Sequence, residues 1–153
     1  AHPGHGSQGV AGNLTRYLHS GARLSDNAAI PKGNRNRPMS DTIFGKIIRG
    51  EIPADKLHED EHCIAIRDIH PRAPVHLLVI PKKAIPRLID AQPEDQALLG
   101  HLLLVARQLA EDHGVGHSFR LLVNNGEGAG QTVFHLHVHI LGNDKYSEAD
   151  MAG

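Results

Sequence analysis

The chain has 153 residues, a hydrophobic content of 40% and a formal net charge of −1, enough length and apolar matter for one domain with its own core. No apolar run approaches the ~20 residues that span a bilayer, and the near-neutral charge gives no reason to expect general binding to nucleic acid or anionic membranes. The single cysteine, Cys63, has no partner for an internal disulfide and sits in an apolar, strand-like run, which fits a core position in a reducing, cytoplasmic compartment.

Residues 1–38 carry Arg16, Arg23, Lys32, Arg35 and Arg37 against Asp26, so this part is +4 and the remainder −5. It is rich in Gly, Asn, Ser and Pro, with one weakly helical stretch between Leu14 and Leu24, and it ends in the breaker-rich PKGNRNRP. We read it as a flexible basic leader or a non-native upstream extension, and residues 39–153 as the folded domain. From Asp41, a good capping residue, Ile43, Phe44, Ile47 and Ile48 form a helical stripe that Gly50 stops. Leu57 to Glu59 and Cys63 to Asp68 then read as a hairpin about an acidic turn, and His76 to Ile80 as a short apolar strand.

Pro93 opens a long helix, with Glu94 and Asp95 well placed against the macrodipole of its first turn, and Gly114 ends it. Leu98, Leu99, Leu102, Leu103, Ala106, Leu109 and Ala110 are its expected buried face. His101 and His113 read as surface groups. Phe119 to Val123 is a further strand, followed by a glycine-rich loop, Gly126 to Gly130. Two helices and about five strands predict an α+β fold with an antiparallel meander.

The most informative stretch is FHLHVHIL, Phe134 to Leu141. Its strict period of two predicts a strand with Phe134, Leu136, Val138 and Ile140 on a buried face and His135, His137 and His139 on the other. Imidazole, with a reference pKa of about 6.5, is a competent acid, base and nucleophile near neutrality. Three readings stand open on these residues: a polar strand face, a metal site in which His-X-His aims two nitrogens at one ion, and metal-free chemistry in which one imidazole attacks while its neighbours manage protons. The glycine loop, flanked by the neutral donors Asn124, Gln131 and Thr132, suits a phosphate better than a cation.

GQTVFHLHVHILG resembles the His-X-His-X-His-X-X signature of the histidine triad (HIT) nucleotide-binding superfamily, and DTIFGKIIRGEIPADKL and APVHLLVIPKK resemble its branch of small purine nucleoside phosphoramidate hydrolases. The resemblance covers residues 40–142. It implies a homodimer whose sheets join, a purine nucleotide pocket (AMP or GMP) in each subunit, no required cofactor or metal, and cleavage of the P–N bond of nucleoside 5′-phosphoramidates. By that match His137 is the nucleophile that forms a nucleotidyl-histidine. His139 contacts phosphate and leaving group, His135 and His76 complete the proton-handling set, and Asn124, Gly130, Gln131 and Thr132 hold phosphate or leaving group. Asp68 takes the ribose, and Ile43, Phe44, Ile47 and Ile69 line the base. Dinucleoside polyphosphate hydrolysis, nucleotidyl transfer and a nucleotide-binding scaffold are the alternatives. Thr132 stands where serine is frequent, His70 where a small residue is common, and the tail NDKYSEADMAG lacks the tryptophan of the best-known members.

Overall fold

The computed structural model describes residues 41–148; the leader, its weakly helical stretch and the last five residues lie outside them. Helix α1 (Ile43–Ile48) starts at Thr42, not Asp41, because the Thr42 Oγ1 accepts the Gly45 N–H at 3.1 Å. Gly50 follows with φ 78°, the left-handed turn that releases the chain from the helix. Strands β1 (Lys56–Glu59), β2 (Cys63–Arg67) and β3 (Val75–Pro81) form an antiparallel meander, as expected.

The meander does not continue. Helix α2 (Gln96–Asp112), entered through a 3-10 turn at Pro93–Asp95, carries the chain across the sheet to the edge strand β4 (Phe119–Leu122), and β5 (Val138–Gly142) returns between β3 and β4. The strand order is therefore β1-β2-β3-β5-β4, every neighbouring pair antiparallel. Among the described residues, five strands and two α-helices match the expected fold class; the order of the last two strands corrects the simple meander.

Alternation along the strands splits the core in two. Cys63, Ala65, Leu77, Val79, Val138 and Ile140 face α2 and pack with Leu102, Val105, Ala106 and Leu109. Ile64, Ile66, Leu78 and Ile80 face the other way, against Ile43, Phe44 and Ile47 of α1. The expected face of α2 is rotated: Val105 is buried, whereas Leu103 is 51% exposed, because the helix meets the sheet along the 102-105-106-109 stripe.

Candidate active site

The triad segment is not one continuous strand. Pairing begins only at Val138, where β5 meets Val79 of β3, so His135 and His137 sit on the extended approach to the strand and His139 alone lies within it. This breaks the expected row of three imidazoles. The His135 ring is fully buried with its Nε2–H donating to the Pro81 carbonyl at 2.7 Å, and it does not reach the cavity. The side chains of Leu136, Val138 and Ile140 do enter the core as expected, and Phe134 is only partly covered.

His76, on β3, replaces it in the cluster. Leu78 faces α1, and by alternation so does His76; Leu78 pairs with His139, which puts both imidazoles on the same face of the sheet. There they line a cleft of about 1070 Å³, with His137 between the sheet and Phe44. The Phe44 and His137 rings meet edge to face, centroids 5.0 Å apart, and the His137 and His139 centroids are 4.9 Å apart.

Hydrogen-bond partners fix the tautomers. The His137 Nδ1 lies 2.8 Å from the carbonyl of His135, which can only accept, so Nδ1 carries the proton and Nε2 holds a free lone pair. The Arg72 N–H donates to His76 Nδ1 at 2.9 Å, so the His76 proton is on Nε2. That N–H faces His139 Nδ1 at 2.9 Å, with Asp68 Oδ2 at 3.3 Å. His139 is therefore an acceptor at Nδ1 and protonated at Nε2, and Nε2 meets no protein partner among the described residues.

All these imidazoles are held neutral. Burial lowers the pKa of His137, only partly offset by its bond to the His135 carbonyl and by Asp68. Burial likewise outweighs Asp68 at His76. His139 is pushed down to about 3 by burial and by the neighbouring His137 and His76.

The glycine loop is built differently from a phosphate nest. Gly126 and Gly130 adopt φ 90° and 91°, and between them a 3-10 turn at Glu127–Ala129 turns its amides inward. The N–H of Ala129 and of Gln131 bond to the Gly126 carbonyl, that of Gly130 to Glu127, and that of Gly126 to the Gln131 Oε1. Gln131 is 3% exposed, and its Nε2 donates to the carbonyls of Pro86 and Val133. Its amide is thus spent on shaping the loop and lies off the cleft wall. Asn124, Gly130 and Thr132 do line the cleft. So do Ile43, Phe44, Asp68 and Ile69, whereas Ile47 is fully buried in the core beneath α1.

Sequence reasoning missed Arg72, Arg120 and Tyr146, all of which line the cleft. Arg120 pairs with Leu141 two residues before Leu122 pairs with His139, so strand alternation places it on the histidine face. Its guanidinium stacks 4.2 Å over the Tyr146 ring and donates to the Ser147 carbonyl, holding the tail along the rim. Asp68, His76 and His139 also present donor atoms within 4.8 Å of one another, the one place along the cleft where the described residues could hold a cation.

Residues 49–146 match the HIT domain. Curated relatives include an uncharacterised HIT-like protein of Synechocystis, 61% identical over 107 residues that make up 70% of this chain and 94% of that one. Among solved structures, a HIT family hydrolase of Legionella pneumophila superposes with a TM-score of 0.70 at 41% identity, covering 74% of this chain and all of the other. A HIT family hydrolase of Clostridium thermocellum gives 0.68 at 42%, covering 70% and 94%. No helix among the described residues is long and apolar enough to cross a membrane.

Proposed function

The chain belongs to the HIT domain family, and on that premise we propose that it is a hydrolase that cleaves the P–N bond of purine nucleoside 5′-phosphoramidates through a nucleotidyl-histidine. The observation that carries the reading is the His137 ring, whose Nδ1–H is tied to its neighbour's carbonyl so that a neutral, unprotonated Nε2 is presented to the cleft. An imidazole in that state is a nucleophile without further activation, and it splits one displacement at phosphorus into two easier ones.

In this reaction His137 Nε2 bonds to the α-phosphorus as the phosphorus–nitrogen bond of the substrate breaks. The departing nitrogen takes the proton of His139 Nε2–H and leaves as the neutral amine, while His76 Nε2–H supports His139 from behind through its Nδ1 until the water of the second step gives that proton back. Water then displaces His137 from phosphorus, and its proton returns to the relay. Thr132 and Asn124 contact phosphate oxygens, Phe44, Ile43 and Ile69 hold the base, and Asp68 accepts from the ribose. His135 and Gln131 contribute by position, the first by fixing the chain before His137 and the second by shaping the loop before Thr132. The reaction needs no metal, and subunits pair through the free edge of β4 as a homodimer in the cytoplasm.

The test is to quench the enzyme during turnover of adenosine 5′-phosphoramidate and measure its intact mass. An acid-labile adduct of nucleotide mass is expected for the native chain and not for His137→Ala, with turnover unchanged by a chelator. An adduct on His137→Ala would place the nucleophile elsewhere, and loss of activity on chelation would return the metal reading through Asp68, His76 and His139.

A further inference from the structure

A second cluster of ligating side chains lies on the opposite face of the sheet from the cleft, where the β1–β2 hairpin meets α2. His58 lies in β1, Asp60 sits in the hairpin turn, Cys63 starts β2, and His101 projects from the second turn of α2. Nε2 of His58 and Nε2 of His101 each lie 2.7 Å from the same oxygen, Asp60 Oδ2, and the Cys63 Sγ is 3.6 Å from it. We propose that His58, Asp60, Cys63 and His101 form a binding site for a divalent transition-metal ion of the zinc class.

The carboxylate is divided in the way a ligand requires. Asp60 Oδ1 accepts the N–H of His62 at 2.7 Å and of Cys63 at 2.9 Å, and the Asp60 N–H closes the turn onto the Cys63 carbonyl. These bonds orient the group and leave Oδ2 to face the two imidazoles and the sulfur, the arrangement by which outer partners position a metal ligand. Two imidazole nitrogens, one carboxylate oxygen and one sulfur are a donor set for a tetrahedral, borderline-soft ion, and one that a hard cation such as magnesium does not select.

Without an ion the two Nε2–H groups hydrogen-bond to Oδ2. With one, the proton of each neutral imidazole moves through solvent from Nε2 to Nδ1, so that Nε2 is offered to the ion, while the thiol of Cys63 releases its proton to solvent. His58, Asp60 and Cys63 present donor atoms within 4.8 Å of one another, and His101, held on the same Asp60 oxygen, joins them by turning its ring toward the ion as the site closes. Burial, followed by Asp60, pushes the Cys63 thiol up to about 12, so the metal-free sulfur is protonated and inert, and the ion is what would make it a ligand.

Three of the ligands fall within one hairpin and the fourth on α2, so the ion would tie the hairpin to the helix that covers it. None of the four lines the cleft, so the site is structural and separate from the histidines that face α1. Cys63 is the only cysteine in the chain, which gives the test its specificity.

The experiment is to titrate the reduced, chelator-treated full chain with cobalt(II) and follow its absorption. A thiolate-to-cobalt charge-transfer band with tetrahedral ligand-field bands, saturating at a single ion per chain and displaced by zinc, is expected. Neither the cleft nor any histidine of the leader can produce that band, because neither contains sulfur. His101→Ala and His58→Ala, both partly exposed, should weaken cobalt binding about tenfold or more and abolish the rise in unfolding temperature that zinc gives the native chain. Cys63→Ser should lose the band itself, whereas His139→Asn should keep it. Absence of a charge-transfer band in the native chain at saturating cobalt, or a band that His101→Ala and His58→Ala leave unaltered while circular dichroism shows them folded, would overturn the site.

Discussion

The Nε2 of His76 and the Nδ1 of His139 lie 2.9 Å apart across the β3–β5 ladder, and because the Arg72 N–H occupies the other nitrogen of His76, the proton between them belongs to His76. The pair is an oriented relay. Its polarity is set by a backbone amide, which does not titrate.

The activity profile should follow from the depressed basicity of the cluster. Burial keeps His137 neutral below the ordinary histidine value of about 6.5. The acid limb of kcat/KM is therefore expected well below that value, with a flat profile from neutrality into the mildly acidic range. An acid limb centred near 6.5 would show that the nucleophile titrates as an exposed imidazole.

Stability should have the opposite sensitivity. A histidine whose pKa is lower folded than unfolded leaves the unfolded chain to take up protons first, so its contribution is complete above about 6.5 and is lost as pH falls toward the folded value, about 3 for His139. His76, His135 and His137 shift in the same direction, in each case chiefly through burial. Each contributes at most about 1.4 kcal/mol per pH unit in that window. Urea midpoints at pH 7.5 and pH 5 should differ by several times the scatter of the measurement; equal midpoints would refute the shared shift.

Gln131→Ala should act through the loop. It deprives the Gly126 N–H of its acceptor and the Pro86 and Val133 carbonyls of a donor in a buried setting, a loss of about 2–4 kcal/mol. Because the loop carries Gly130 and Thr132 to the cleft, KM should rise as well. Gln131→Glu supplies the acceptor and lacks both donors, so it should recover part of the loss; full recovery would show that the two donor bonds contribute nothing.

Gly142→Ala should be destabilising for steric reasons alone. An added Cβ would meet Val115 Cγ2 at 2.7 Å and Cβ at 2.8 Å, at the point where β5 ends against the loop after α2. Overpacking of this kind costs about 1–3 kcal/mol. Val115→Ala removes the two Cγ contacts and keeps the Cβ contact at 2.8 Å, so the double variant should lose less stability than the two single losses added together; strictly additive losses would contradict the packing explanation.

Pairing of subunits is testable at the edge of the sheet. Strand β4 has β5 on one side only, Leu121 within it is 37% exposed, and α2 leaves Leu103 and Leu104 at 51% and 64%. Such an edge with apolar surface is a template for a second copy. Light scattering should give twice the chain mass, and Leu121→Lys or Leu104→Lys should shift it toward one chain; a concentration-independent single-chain mass for the native protein would exclude the dimer.

Much of this was legible in residue order. The period of two in β5, the unbroken apolar runs of β2 and β3, and the stripes of the two helices carry the fold, because burial selects one face of each helix and covers both faces of the central strands. His76, His137 and His139 were identifiable as a group only through the family resemblance, since period alone predicted His135 in place of His76. The failure has a physical cause: alternation assigns faces only where a strand is paired, and His135 and His137 precede the first ladder bond. Gln131 misled for a related reason, because a buried amide and a ligand-binding amide look the same until the loop closes around one of them. The roles of Arg120 and Tyr146 depend on a stacking contact between β4 and the tail, which no local pattern encodes.

That stack separates two inheritances within the cleft. The cleft histidines His76 and His139 are fixed by β3 and β5, and His137 by the segment that enters β5, so their geometry is tied to the sheet. The rim from Asp144 to Tyr146 follows the end of the last strand, and the Arg120 guanidinium holds it by stacking on Tyr146 and donating to the Ser147 carbonyl. Substitutions there meet few packing constraints, so related chains can diverge in what they admit while keeping the same reaction, and a graft of a few tail residues is the smallest exchange that would carry selectivity from one to another.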